Sequence, residues 1–385
     1  MTSKTRLLIL LVSAPIIAYA VVGGFLGNAI AKDDTYQQLR IFQDVVGLIV
    51  NNYVEDADLS RVTSGAMRGL AEALDPDSAY LTPAEVAALE SGAALPRGET
   101  GLEVTRQYYL RVVAARDGSP AARAGLRPGD LIRIIDDLPT RDMSAFEGRR
   151  RLLGEPGSKV TLTVIRNSQV DPHVVELTRE ILDGPGVSSR MEATGIGYVR
   201  VAGFARQSAA QIGTQAAALT RSGAGSLIID LRGTATGEYE EAISAARLFV
   251  GAGTLAVRQA RGQENQTTEA RPGAAVTVPV ALLTDIGTSG PAEVFAAALQ
   301  SNDRADLVGS QTIGRVTMQK LVKLSDGSGL WLTGSRYLLP SGEPLLGLSP
   351  DVAIAQPEIE FGEPLPDEDE TINRATEHLR VRPAA

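Results

Sequence analysis

The spacing of apolar and polar positions changes along the chain, and each change marks a different kind of element. From Leu7 to Ala31 no residue is charged, and 25 residues at about 1.5 Å each exceed the roughly 30 Å apolar thickness of a bilayer. Lys4 and Arg6 before this segment and Lys32-Asp33-Asp34 after it predict a single-pass anchor, amino end inside, the rest extracytoplasmic. Ala29-Ile30-Ala31 also reads as a small-x-small cleavage site, so the alternative is a cleaved signal and a secreted chain. From Tyr36 to Leu74 apolar residues (Leu39, Phe42, Val45, Val46, Ile49, Val50, Tyr53) recur at helical spacing and predict one or two amphipathic helices. Thr82-Pro83-Ala84-Glu85 reads as a helix start, with Thr as N-cap, Pro first in the helix and Glu three residues after the cap. Ser91 to Pro96 reads as a linker.

Between Arg97 and Glu180 the period becomes two. Runs at Arg111 to Ala115, Leu131 to Ile135, Val160 to Ile165 and Val174 to Thr178 predict strands separated by Gly, Pro or Asp turns. From Gly195 onward strands (Gly197 to Val201, Ser226 to Leu231, Val278 to Thr284) alternate with helices (Ala209 to Ala218, Glu238 to Val250, Pro291 to Gln300). That order predicts a parallel sheet with crossover helices, its chemistry on loops beyond the strand carboxyl ends, here 232–237 and 285–290.

Composition narrows the chemistry. Among 385 residues, 37 Lys and Arg stand against 46 Asp and Glu, a net charge of -9, the wrong sign for neutralising a nucleic acid backbone. There is no Cys, so no disulfide, thiolate nucleophile or thiolate metal site is available. His173, in a Val-Asp-Pro-His turn, and His378, in an acidic tail, both read as solvated surface residues, which leaves nothing for a Ser-His-Asp triad or a His metal centre. No spacing implies a metal or organic cofactor.

Gly118 to Asp130 (Gly-Ser-Pro-Ala-Ala-Arg-Ala-Gly-Leu-Arg-Pro-Gly-Asp) resembles the centre of a PDZ domain of the bacterial protease type. That resemblance implies that Gly101-Leu102-Glu103-Val104 is the loop whose N–H groups receive a peptide carboxylate while the peptide adds as a strand. Glu103 replaces a small residue there and is expected to put a negative charge near that carboxylate. Arg149-Arg150-Arg151, on the expected second helix of the module, reads as a solvated basic face.

Further stretches resemble, in the same order, those of the carboxy-terminal processing, or tail-specific, peptidases. Asn52-Tyr53-Val54 and Leu74-Asp75-Pro76-Asp77-Ser78-Ala79-Tyr80-Leu81 resemble the family's opening, with Asp77 in place of a His. Gly197-Tyr198-Val199-Arg200-Val201, Ile229-Asp230-Leu231-Arg232, Leu307-Val308-Gly309, Leu324 to Ser328 and Pro340-Ser341-Gly342 resemble its core. The resemblance implies an α+β multidomain fold: a membrane anchor or signal segment at 1–31, an N-terminal helical region at 32–96, a PDZ domain at 97–182, a crotonase-like α/β peptidase core at 183–360 and an acidic C-terminal tail at 361–385.

The family cuts peptides with a Ser activated by a Lys and assisted by a Gln. At the matching positions this chain has Gly290 for the Ser and Arg315 for the Lys, and it keeps Gln319. Glycine has no attacking group, and an Arg with a pKa above about 12 gives up no proton. The family's Asn-Pro-Gly-Gly oxyanion loop reads Thr234-Ala235-Thr236-Gly237, with Thr236 for its first Gly. The principal expectation is therefore a pseudopeptidase that binds unfolded or carboxy-terminal peptide segments through its PDZ domain and acts as adaptor or regulator, with itself or an active relative as partner through the amino-terminal helices. An active serine peptidase using Ser289 with Lys320 or Lys323 is one alternative, although Ser289 reads more simply as a helix cap before Pro291. A purely structural membrane-tethered partner is the other.

Overall fold

The computed structural model describes residues 36–381 except 93–94, 167–170, 185, 194, 358 and 364–365. The expected anchor at 7–31 lies outside these residues, and no helix among the described residues is long and apolar enough to cross a membrane. The chain divides into two units, Met1–Gly69 and Leu70–Ala385. In the first, residues 36–52 form helix α1, and helix α2 (Leu59–Glu72) begins there and runs across the boundary. Leu39, Leu48 and Tyr53 are exposed.

The second unit continues with a turn at 75–78, strand β1 (Ala79–Leu81) and helix α3 (Pro83–Glu90). α3 begins as its sequence predicts: the Thr82 hydroxyl accepts from the Glu85 N–H at 3.4 Å while the Glu85 carboxylate accepts from the Thr82 N–H at 2.8 Å.

The segment with period two forms β2 (Leu102–Arg106), β3 (Leu110–Ala115), α4 (Pro120–Arg123), β4 (Leu131–Ile135), β5 (Leu138–Pro139), α5 (Ala145–Leu152), β6 (Lys159–Ile165) and β7 (His173–Thr178). The sheet order is β2-β3-β4-β6-β7, with β5 paired to β4. Val104, Leu110, Val112, Ile132, Leu162, Val164 and Leu177 are buried together at its centre. Asp130, which ends the Pro-Gly-Asp turn, is buried and accepts two bonds from the Arg166 guanidinium at 2.7 and 2.8 Å. His173 stacks on Phe361, ring centroids 4.6 Å apart, so it is not the solvated residue its turn suggested.

The remainder runs β8 (Val187–Ala193), β9 (Ile196–Val201), α6 (Ser208–Arg221), β10 (Ser226–Asp230), α7 (Tyr239–Ala246), β11 (Thr254–Ala260), β12 (Gln266–Glu269), β13 (Val280–Thr284), α8 (Pro291–Ser301), β14 (Ala305–Gly309), β15 (Thr317–Lys323), β16 (Gly329–Leu338), β17 (Val352–Ala353) and α9 (Glu370–Val381). Its main sheet has the order β17-β14-β13-β10-β9-β8, parallel except for β8. Successive side chains of a strand point to opposite faces. Ile229, Leu231 and Leu282 therefore pack under the crossover helices, while Ile228, Ala281 and Leu283 face α9.

α9 corrects the expectation of an acidic tail. Ile372, Ala375 and Leu379 form an apolar stripe buried on the sheet, and the His378 ring lies 2.7 Å from the Asp306 carboxylate. His378 is half-buried and paired, not solvated, because the stripe turns that end of the helix toward β14.

A second sheet places the site. β1 pairs antiparallel with β16, Ala79 opposite Trp331, and β15 pairs with β16 along most of its length. The 75–78 turn is thereby fastened beside the segment that leads into β15. Asp75 shapes that turn, its carboxylate accepting from the N–H groups of Asp77 and Ser78 and from the Ser78 hydroxyl.

Candidate active site

The loop after β13 is folded by Asp285, whose Oδ1 accepts from the N–H groups of Gly233 and Gly287, both at 2.9 Å, and from the Thr288 hydroxyl at 3.2 Å. The turn ends at Gly290, φ 59° and ψ -120°, a conformation that L side chains rarely adopt. Glu293, one turn into α8, is fully buried. It accepts from the N–H of Gly290 at 3.1 Å, Gly314 at 2.6 Å and Arg315 at 2.9 Å, and from the Thr312 hydroxyl. Burial pushes its carboxyl above the ordinary range despite those four donors. Glu293 thus ties the start of α8 to 312–315 and holds positions 290 and 315 side by side.

A Cβ on Gly290 would lie 3.6 Å from the Tyr239 hydroxyl and 3.7 and 3.9 Å from the carbonyls of Arg315 and Ala235. These are ordinary contacts, so space does not explain the missing side chain. The Arg315 side chain is committed elsewhere. Its Nε and Nη2 grip the two oxygens of Asp77 at 2.7 and 2.8 Å, a bidentate fork across 238 residues of sequence. Asp77 is buried and also has the Thr105 hydroxyl at 3.4 Å and Arg149 Nη1 at 3.8 Å. Burial by itself would lower the Arg315 pKa, but the Asp77 fork and the nearby Glu103 raise it, so the guanidinium stays charged.

Comparison with known proteins fits these positions to a family. Residues 195–354 match peptidase family S41 and residues 111–166 match a PDZ domain. The chain is 30% identical over 298 residues to the carboxyl-terminal-processing protease of Synechocystis, covering 75% of this chain and 70% of that protein. This chain belongs to peptidase family S41, in its carboxyl-terminal-processing branch. The carboxy-terminal-processing protease of Bartonella bacilliformis is 28% identical over 337 residues, 85% of this chain and 77% of that protein. Among solved structures, a photosystem II D1 C-terminal processing protease superposes with a TM-score of 0.67 at 26% identity, covering 81% of this chain and 92% of that one.

Within this S41 chain the suggested rescue site is not assembled. Ser289 is fully buried, its hydroxyl has no hydrogen-bond partner among the described residues, and its N–H donates to the Thr234 carbonyl at 2.9 Å. Nor does it cap α8. Gly290 occupies the N-cap and Glu293 supplies the capping acceptor, because the turn places Ser289 one residue too early. Lys320 is exposed with its stem against Gly334, and Lys323 pairs with Glu90 at 2.9 Å on the surface. Gln319 donates to the hydroxyls of Thr317 at 2.9 Å and Thr333 at 3.3 Å.

The oxyanion-loop residues are pinned to β9 and the segment after it. The Thr234 hydroxyl donates to the Val201 carbonyl at 2.6 Å, and Phe204 N–H donates to the Thr236 carbonyl at 2.9 Å. Gly237, φ 125°, lies so close to Phe204 that a Cβ would fall 2.4 Å from its carbonyl carbon. In the PDZ loop a Cβ on Gly101 would meet Ser119 at 2.2 Å, the Leu102 N–H reaches the Thr100 hydroxyl at 3.4 Å, and Leu102 and Val104 are buried. At Glu103 burial raises the pKa, while the charges of Arg149, Arg315 and Arg116 act in the opposite direction.

The basic face is also corrected. Arg149 faces Asp77, Arg150 lies over the Phe146 ring at 5.8 Å, and Arg151 holds Glu147 at 2.8 Å, since α5 packs its flank against the core instead of water. The Asp77–Arg315 pair was not anticipated. Its signal was available: two departures from the family pattern, His to Asp and Lys to Arg, that together make an ion pair.

Proposed function

We propose that this S41 member binds peptide segments without hydrolysing them and serves as an adaptor or regulator, reading carboxy-terminal or extended segments with its PDZ module. One observation carries this: position 290 has no nucleophile, and the side chain at the base position is an Arg locked in a fork onto Asp77. A peptidase of this kind needs a general base that releases its proton, and this group does not. Peptide capture is supported by β2, which ends the sheet order and leaves an edge to which a strand can add. Anchoring through residues 7–31, with the bulk of the chain extracytoplasmic, belongs to the same proposal.

The test is calorimetric titration of the full chain with peptides ending in a free carboxylate or an amide, alongside hydrolysis of unfolded casein. Saturable binding, weakened at least about tenfold by Gly101→Val, is expected, with hydrolysis at the level of buffer. No saturation with any peptide of a diverse library rejects capture, and casein turnover by purified chain rejects silence.

The second reading, a structural partner, is favoured by the same Asp77–Arg315 pair, which fills rather than opens the old base position. It predicts a partner complex that survives deletion of 97–182. Pull-down with and without that deletion separates the two.

A further inference from the structure

We infer that Pro291 is a third barrier to hydrolysis, separate from Gly290 and Arg315 and located in the backbone. The inference rests on the non-hydrolysing reading and extends it. When a nucleophile sits on a strand-to-helix turn, the N–H of the next residue receives the oxyanion formed as the nucleophile adds to the carbonyl. The connection from β13 into α8 leads from strand to helix, with position 290 at its helix end as the N-cap. The next residue is Pro291, whose ring nitrogen carries no hydrogen.

The neighbouring donors of α8 do not replace it. Ordinarily the first N–H groups of a helix are left without intrahelical partners and serve anions well. Here the Gly290 N–H is turned onto Glu293 at 3.1 Å, the Ala292 N–H onto the Ser289 carbonyl at 3.3 Å, and the Glu293 N–H onto the Gly290 carbonyl at 3.0 Å. The start of α8 is closed on itself. Proline suits the first helical position because its φ is already helical, so the same residue that favours the helix removes the donor.

The chemical consequence is definite. If Ser stood at 290 and Lys at 315, the Ser oxygen would bond to the carbonyl carbon, its proton would pass to the Lys amine, and the carbonyl π pair would move onto oxygen. That oxyanion would lack the donor from 291. Loss of one such donor lowers kcat by roughly 10²–10³-fold in a comparable hydrolase. Restoring the side chains alone is therefore insufficient.

The experiment compares two variants of the full chain, Asp77→His/Gly290→Ser/Arg315→Lys with and without Pro291→Ala, on a fluorogenic peptide. Thermal unfolding and PDZ-peptide titration establish that both are folded. The Pro291→Ala version is expected to have a kcat at least about 100-fold higher, with KM little changed. Equal kcat values, both measurable or both at background, overturn the inference. If the triple background fails to fold, Gly290→Cys with and without Pro291→Ala is acylated by a peptide p-nitrophenyl ester and followed by mass spectrometry, where equal acylation rates overturn it in the same way. Hydrolysis by the unaltered chain would instead reject the reading on which the inference rests.

Discussion

Asp77 and Arg315 illustrate how two replacements, each damaging alone, become compatible together. A guanidinium enclosed at this site needs a carboxylate, and stripping one partner from a buried pair typically lowers stability by about 3–5 kcal/mol, whereas an apolar pair of similar size is often neutral or better. Asp77→Asn is expected to reduce the urea midpoint accordingly, while Asp77→Leu/Arg315→Met recovers most of the loss. A double-mutant cycle with unchanged m values checks this. A double variant as unstable as the single would show that the fork is not the source of the effect.

Asp230 makes a separate prediction at the same scale. It accepts from the Tyr198 hydroxyl at 2.8 Å and from the Arg232 guanidinium at 2.6 Å. Burial alone would raise its pKa, but the Arg232 bonds and the charges of Arg232 and Arg200 outweigh it and the net shift is downward. A carboxyl whose folded pKa lies below its unfolded value, about 3.9, adds stability that is present above that value and lost as pH falls through the folded one. Asp230→Asn is expected to flatten the loss of stability below pH 4 relative to the unaltered chain. Parallel urea-midpoint curves for the two proteins between pH 6 and pH 3 would contradict this.

Elements with one dominant period were legible in advance. The run at Leu131 to Ile135 is β4 as observed, and the runs at Arg111 to Ala115, Val160 to Ile165 and Val174 to Thr178 each fall one residue short of β3, β6 and β7 at their amino ends. β6 and β7 bury alternate residues, so there the pattern reports the core directly. β11, β12, β15 and β16 were not read. β12 and β15 carry no fully buried residue, and register shifts break the pairing of β11 with β12 and of β15 with β16. Such strands are defined by their neighbours more than by their own apolar period. α9 lies in the stretch that reads as an acidic tail, because nothing local says that Ile372, Ala375 and Leu379 meet a sheet. Truncation after Pro366 would uncover Tyr198, Ile228, Leu283 and Val308. It is expected to yield aggregation and loss of a cooperative thermal transition, read by size-exclusion chromatography and calorimetry; a monomeric product that melts like the full chain would show α9 to be dispensable.

Over the second unit as a whole, the important connection is the strand β1 on β16. It carries the 75–78 turn to the edge of the old base position, where residues from the turn, the PDZ module and the core meet: Asp77, Arg149 with Thr105, and Arg315. What the sequence by itself determined is the presence or absence of groups. Gly290 has no nucleophile, Arg315 no releasable proton and Pro291 no N–H, whatever surrounds them, because these are properties of the residues. Only the tertiary structure decided which groups meet. Arg315 is matched to Asp77, Ser289 is buried away from either lysine, and the first N–H groups of α8 are turned inward. Those contacts depend on long-range strand pairing and on side-chain direction within a single turn, and neither is set by local spacing.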